Sequence, residues 1–208
     1  MGQRNSVPLE DASGFSAKGI EGRQSVFLKL KNSSWNKKIY RKVLILSLDA
    51  AGKTSILYWF KYKTFISTIP TIGYNHETLI YKTSQFDFWD VGGQDGIRKM
   101  WQHYFMNVQA VIFVVDSNDR ERISEVKDVL QNVQKLIDDS VGSNRVVMLI
   151  LANKQDLPDA MSVDEVHEKL KLKYFLDLRW HLHPCCTKTG EGLKDALEWL
   201  HCELKKRF

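Results

Sequence analysis

One loop constrains this chain more than any other stretch: Ser47-Leu48-Asp49-Ala50-Ala51-Gly52-Lys53-Thr54. An apolar run, Val43-Leu44-Ile45-Leu46, precedes it, and a segment suited to a helix, Ser55-Ile56-Leu57-Tyr58-Trp59-Phe60, follows. In a strand, tight loop and helix joined through Gly-Lys-Thr, backbone N–H groups and the positive helix end face a bound anion. Lys53 would reach the β- and γ-phosphates of a nucleotide, and the Thr54 hydroxyl would take a position on Mg²⁺. Asp49, Ala50, Ala51, Gly52 and Ser55 complete the cradle. The pattern usually opens with glycine, and here Ser47 stands in that place. If the position needs positive φ, the extra Cβ costs about 1 kcal/mol and lowers nucleotide affinity. The plainer alternative is a strand-to-helix turn with a solvated lysine, and the rest of the chain has to decide.

The 208 residues favour one domain plus a tail, long enough to bury a core without staples. The net charge of +5 is uneven. Residues 1–38 hold seven Lys/Arg against three acids, so the body is close to neutral. That balance suggests an anionic surface near the N-terminus and no nucleic-acid partner, because the body has no basic stripe with interleaved aromatics. Cys185, Cys186 and Cys202 form no CxxC pattern, which indicates neither a zinc site nor a disulfide framework and fits a reducing, cytoplasmic setting. The longest apolar run, Val146 to Ala152, has the length of a strand and not of a membrane span.

Residues 1–22 read as a disordered leader, rich in Gly, Ser and charge. They begin Met1-Gly2-Gln3-Arg4-Asn5-Ser6, which makes Gly2 a candidate myristate acceptor. Residues 23–42 are basic and mildly apolar, and no acid occurs between Glu21 and Asp49. A membrane-surface helix and a solvated basic linker both fit that segment. One acyl chain anchors only marginally, so a basic apolar neighbour would supply a second signal.

From Val43 to Phe208 strands alternate with helices. Phe86 to Trp89 reads as a short strand, and Ala110 to Val115 and Val146 to Ala152 as strands buried on both faces. Ile123, Val126, Val129, Leu130, Val133, Leu136 and Ile137 share one helical face. Ser162-Val163-Asp164-Glu165 is a capping box, and Leu193, Ala196, Leu197, Leu200 and Leu204 mark a last helix. The alternation predicts an α/β domain over 43–208, with a mostly parallel central sheet flanked by helices on both faces. Ligands of such sheets bind beyond the carboxyl ends of the strands.

Each predicted strand end is followed by residues suited to a nucleotide. After Trp89 comes Asp90-Val91-Gly92-Gly93-Gln94. Asp90 would hold Mg²⁺ through water, and a glycine at 93 would let a backbone N–H approach the γ-phosphate. After Ala152 comes Asn153-Lys154-Gln155-Asp156. The Asp156 carboxylate would accept two hydrogen bonds from guanine N1–H and the exocyclic amine, which adenine does not offer. Within Ile69-Pro70-Thr71-Ile72-Gly73, Thr71 would reach Mg²⁺ only while the γ-phosphate is present, which is a switch. Each short pattern is weak alone, whereas four in order at predicted loops support a GTP/GDP and Mg²⁺ site together.

At this point a resemblance becomes specific. Asp49 to Thr54, Pro70-Thr71-Ile72-Gly73, Trp89 to Asp95, Val114 to Arg120 and Asn153 to Pro158 resemble the wording of the ADP-ribosylation factor (Arf/Arf-like) family of small GTPases. The similarity spans about residues 39–206 and implies the P-loop small-GTPase fold. It implies a GDP/GTP switch that binds effectors at membranes when GTP-loaded, in vesicular or intracellular membrane trafficking, at the Golgi or another endomembrane. It implies Gln94 as the residue that orients the attacking water, slow intrinsic hydrolysis, and an activating protein that donates an arginine. An exchange factor is implied as well. Tyr74, Trp89 and Tyr104 match an exposed aromatic effector patch, with Tyr74 where Phe is usual; core packing is the alternative. Cys186-Thr187-Lys188 aligns with the base-contacting loop, where the Thr187 backbone would contact guanine O6 and Lys188 would cover the base. Two other functions stay in view: a non-hydrolysing guanine-nucleotide scaffold, if Ser47 and the altered base loop have cost activity, and an ATP-using kinase, against which Asp156 argues.

Overall fold

The computed structural model describes residues 39–207. The Gly2 lipidation site, the leader 1–22 and the basic segment up to residue 38 lie outside them. Six strands form one sheet in the order β2-β3-β1-β4-β5-β6. They are β1 (Ile39–Leu46), β2 (Tyr74–Tyr81), β3 (Ser84–Val91), β4 (Ala110–Asp116), β5 (Val147–Asn153) and β6 (Arg179–Pro184). All pairings are parallel except β2 with β3, an antiparallel hairpin in which Tyr74 faces Val91 and Tyr81 faces Ser84. The helices are α1 (Lys53–Tyr62), the single turn α2 (Asp95–Arg98), α3 (Ile123–Ser140), α4 (Val163–Leu170) and α5 (Leu193–Arg207). This is the small-GTPase fold that the alternation and the resemblance predict. β1 begins at Ile39, so the sheet takes up the last four residues of the basic segment 23–42.

The two faces of the sheet carry separate cores. Leu44, Leu46, Phe113 and Ile150 point toward α3 and α4 and meet Leu130, Val133 and Val166. Val43, Ile45, Ile112 and Leu149 point the other way and meet Ile56 and Phe60 of α1 and Leu197 and Leu200 of α5. Alternate residues of β4 and β5 therefore enter opposite cores, which is why both strands read as unbroken apolar runs. Each buried Leu, Ile or Val contributes roughly 1.5–3 kcal/mol by leaving water. The capping box at α4 forms as predicted: Glu165 N–H donates to Ser162 Oγ at 3.2 Å, and Ser162 N–H donates to Glu165 Oε2 at 3.0 Å. The parallel strands all end at the same edge, and the loops that leave this edge carry the polar residues singled out above.

Candidate nucleotide-binding site

A cleft of about 500 Å³ lies beyond those strand ends. Five separate segments line it. The loop after β1 gives Asp49, Ala50, Gly52, Lys53, Thr54 and Ser55; the crossing to β2 gives Thr71 with Phe65, Ser67, Thr68, Ile69 and Pro70. The loop after β3 gives Gly93 and Gln94, the loop after β5 gives Asn153, Lys154, Asp156 and Leu157, and the loop after β6 gives Thr187 and Lys188. Of the nucleotide residues read from the sequence, only Ala51 is not on the wall. It is buried behind it, and its carbonyl accepts a hydrogen bond from Asn153 Nδ2 at 2.9 Å. The sequence reading reaches Ile69 and Pro70 of this stretch through the segment around Thr71, but not Phe65, Ser67 and Thr68, which carry no local pattern of a ligand site.

The loop after β1 reverses the chain by placing Ala50 and Gly52 at φ of 61° and 94°. A Cβ at Gly52 would also stand 2.6 Å from Asn153 Nδ2, so glycine is required on two grounds. Lys53 is buried, and its ammonium donates to Leu48 O at 2.7 Å across the loop. Burial pushes its pKa down to about 8, against the opposing pull of Asp90 and Asp49. An anion in the cradle would supply the missing negative charge. Asp49 is held at the rim by Arg122, 2.8 Å away, which also pairs with Asp119 at 2.6 Å.

Three oxygens meet at the end of the cleft. Thr54 Oγ1 donates to Asp90 Oδ2 at 2.6 Å and lies 2.8 Å from Thr71 Oγ1. Asn75 Nδ2 donates to the same carboxylate oxygen at 2.9 Å. At the other end Asn153 spans two loops: its Nδ2 holds Ala51 O, and its Oδ1 accepts from Thr187 N at 3.1 Å and Thr187 Oγ1 at 2.8 Å. Lys154, on the wall, pairs with Asp116 at the end of β4, 2.5 Å away. Asp156, exposed on the wall, accepts no hydrogen bond from the described residues.

The profile of the ADP-ribosylation factor (Arf) family matches residues 24–204. The chain belongs to the ADP-ribosylation factor family. A solved structure of the Arl6 BBS3 small GTPase from Trypanosoma brucei, with the nucleotide analogue GppNp bound, is similar to it. The similarity has a TM-score of 0.73 at 30% identity and covers 81% of this chain and 99% of that one. Arf-family proteins are small GTPases that in general bind GTP, GDP and Mg²⁺ and in general have exchange factors, activating proteins and effectors.

The residues of this Arf-family protein fit those groups. Asp90 is completely buried, and its Oδ1 has no hydrogen-bond partner among the described residues. Burial pushes its carboxyl pKa up, with hydrogen bonds from Thr54 and Asn75 opposing. A buried carboxylate oxygen of this kind, beside two hydroxyls, suits the water shell of a hard cation such as Mg²⁺. Gly93 packs so closely on the cradle that a Cβ there would lie 2.4 Å from Ser47 O, which brings its backbone alongside the phosphate loop. Gln94 stands exposed on the wall next to it.

Ser47 proves harmless to the backbone. It is not among the residues with positive φ, and its buried hydroxyl donates to Val114 O of β4, a hydrogen bond that glycine lacks. The condition attached to a strain cost at this position is therefore not met.

Tyr74, Trp89 and Tyr104 lie side by side. Tyr74 stacks on Trp89 with centroids 5.0 Å apart and meets Tyr104 edge-on at 5.7 Å. His76 adds a fourth ring, 4.7 Å from Trp89, and Lys42 places its ammonium 5.2 Å from the same ring centre. Tyr74 is half exposed, while Trp89 is partly buried against the core. Asp87 fixes the cluster from below, accepting from Trp89 Nε1 at 3.0 Å, Thr78 Oγ1 at 3.2 Å, and the His76 and Tyr40 side chains. Burial raises the Asp87 pKa, but hydrogen bonds from Tyr40, Trp89 and His76 outweigh it and hold the carboxyl below the usual range. His76 and Asp87 were not read as part of this patch, because only their pairing across the hairpin brings them there.

Proposed function

We propose that this chain is a guanine-nucleotide switch that binds effectors in its GTP form and hydrolyses GTP slowly. The observation that carries the reading is the meeting of Thr54, Thr71 and Asp90 within 3.4 Å at one end of a cleft whose other end holds Asp156. Lys53 and the backbone of residues 49–55 hold the β- and γ-phosphates. Asp156 receives N1–H and the exocyclic amine of guanine, the Thr187 backbone faces O6, and Lys154 and Lys188 flank the base. Thr54, Thr71 and Asp90 would hold Mg²⁺, Asp90 through water, and the ion would supply neutralisation of the phosphate charge. Thr71 comes from a segment tied down by side-chain hydroxyls, so loss of the γ-phosphate releases it and the hairpin beside it. Gln94 orients the attacking water. An arginine from an activating protein completes the charge stabilisation, and an exchange factor reloads the site.

In this reading Tyr74, Trp89, Tyr104 and the neighbouring His76 form the effector surface. Recruitment is to the cytoplasmic side of an endomembrane in trafficking, through Gly2 and the basic segment after it. Among the described residues no helix is long and apolar enough to cross a membrane. Single-turnover GTP hydrolysis, alone and with an Arf-family activating protein, tests the enzyme. The expected result is a rate well below about 1 per minute alone, at least a hundredfold stimulation, and loss of the stimulated rate in Gln94→Leu. Turnover near 1 per second without the activating protein, or a Gln94→Leu variant that is stimulated normally, would contradict it.

A further inference from the structure

One edge of the sheet carries a pair of histidines that nucleotide binding does not use. β6 is the last strand in the order, so among the described residues it has a strand neighbour on one side only. Its side chains alternate between the two faces. Register sets His181 beside Leu149 and His183 beside Leu151, both of which belong to the core under α1 and α5. Arg179, His181 and His183 therefore share the face that turns toward α5. Arg179 reaches Glu203 of that helix at 3.1 and 3.4 Å. The His181 ring stacks on Trp199 with centroids 4.8 Å apart and planes 25° from parallel. Both histidines are only partly buried, and neither lines the nucleotide cleft.

A histidine against a tryptophan is ordinary packing on its own. What differs here is the second ring. Residues two apart on a strand are separated by about 6.6 Å of rise. The ring centroids of His181 and His183 lie 5.5 Å apart, so the rings lean together. Two imidazoles on one tetrahedral ion, each bound through nitrogen at about 2.0–2.1 Å, would have ring centres about 5 Å apart. The pair already holds nearly that spacing, and the Trp199 stack orders one of its members, which lowers the entropy lost on binding. Burial, with His183 and Arg179 nearby, pushes the His181 pKa down, which keeps this ring in the neutral form that ligates metal. The positive charge of Arg179 is offset by Glu203. The other four histidines are placed differently. His76 pairs with Asp87, His201 meets Ser84 Oγ at 3.0 Å, His167 lies against Trp180, and His103 stands exposed.

We propose that His181 and His183 form a binding site for a borderline divalent metal ion such as Zn²⁺, apart from the nucleotide cleft. Neutral imidazole nitrogen suits such an ion, whereas Mg²⁺ takes oxygen ligands, so the pair and the cleft select different metals. No third His, Cys, Asp or Glu joins the pair among the described residues, so water fills the remaining positions on the ion.

The test titrates the full chain with Zn²⁺ by calorimetry, without free nucleotide and in excess Mg²⁺ to occupy oxygen sites. The parent protein carries Cys202→Ser, which removes the exposed thiol. About one equivalent should bind at roughly 10 μM free ion. His181→Gln and His183→Gln should each weaken this about tenfold or more, because either one leaves a single ligand and no chelate. His103→Gln should match the parent. Zn²⁺ should also raise the melting midpoint of the parent and leave that of His183→Gln in place, with the two midpoints alike before metal is added. No Zn²⁺ bound by the parent at about 0.1 mM would overturn the proposal. Parent-like affinity in either variant of the pair, or an equal loss in His103→Gln, would overturn it as well.

Discussion

The two ends of the cleft are built differently. At the end that holds Asp156, Asn153 ties the loop after β1 to the loop after β6, and every group it touches is buried. At the phosphate-and-metal end, the crossing from α1 to β2 is exposed, with Ile69 at 86% and Ile72 at 91%, and reaches the site through the Thr71 hydroxyl. One end is part of the fold and the other leans on it. The first should therefore hold GDP and GTP alike, and the second should respond to what the nucleotide carries.

Breaking the base end should have the largest effects. Asp156→Ala removes the acceptor for N1–H and the exocyclic amine, and selectivity for GTP over ATP should fall by at least about a hundredfold in competition binding. Asn153→Ala leaves Ala51 O and the Thr187 N–H without their partner. Stability should drop by about 2–4 kcal/mol in urea melts, with GDP and GTP affinity falling together. Thr71→Ala tests the other end. It should weaken binding of a GTP analogue about tenfold while GDP affinity and the melting midpoint stay close to wild type. Equal losses for both nucleotides would erase the distinction between the two ends.

Protonation sharpens the comparison further. Lys53 titrates at about 8 in the protein without phosphate, below its unfolded value, so the native state holds fewer protons than the unfolded one between about 8 and 10.4. This group therefore raises stability as pH climbs through that window. Nucleotide phosphate returns the proton, so binding near pH 8 should take up about half a proton, and affinity should weaken from pH 7 to 8.5. Calorimetry in buffers of different ionisation enthalpy measures the uptake, and release instead of uptake would be the wrong sign. The smallest effect is expected at Ser47. Ser47→Gly should lower stability by about 1 kcal/mol through the lost bond to Val114 O, with nucleotide affinity within about twofold of wild type.

Much of this was legible in the chain itself. Residues that need a strand end, a loop and a particular functional group, such as Lys53, Asp90 and Asp156, leave local patterns. So do strands buried on both faces, β4 and β5. The edge strands β2 and β6 were not read as strands from their own residues. β2 alternates half-buried and exposed positions with polar residues on both faces, and β6 is six residues carrying two histidines and ending in proline. The roles of Asn153 as a brace, Asp87 beneath the aromatic patch and Ser47 toward β4 depend on neighbours 34 to 102 positions away for Asn153, and 47 and 67 for the other two. No local pattern contains those distances. The left-handed Ala50 also escaped notice, because alanine does not advertise positive φ.

The most direct measurement is a crystal structure of the full chain with Mg²⁺ and a non-hydrolysable GTP analogue. Lys53 on the phosphates, the Thr54 and Thr71 hydroxyls on the metal and Asp156 on the guanine edge of one and the same molecule is the predicted result. A nucleotide that leaves Asp156 facing solvent, or that binds away from Lys53, would contradict it.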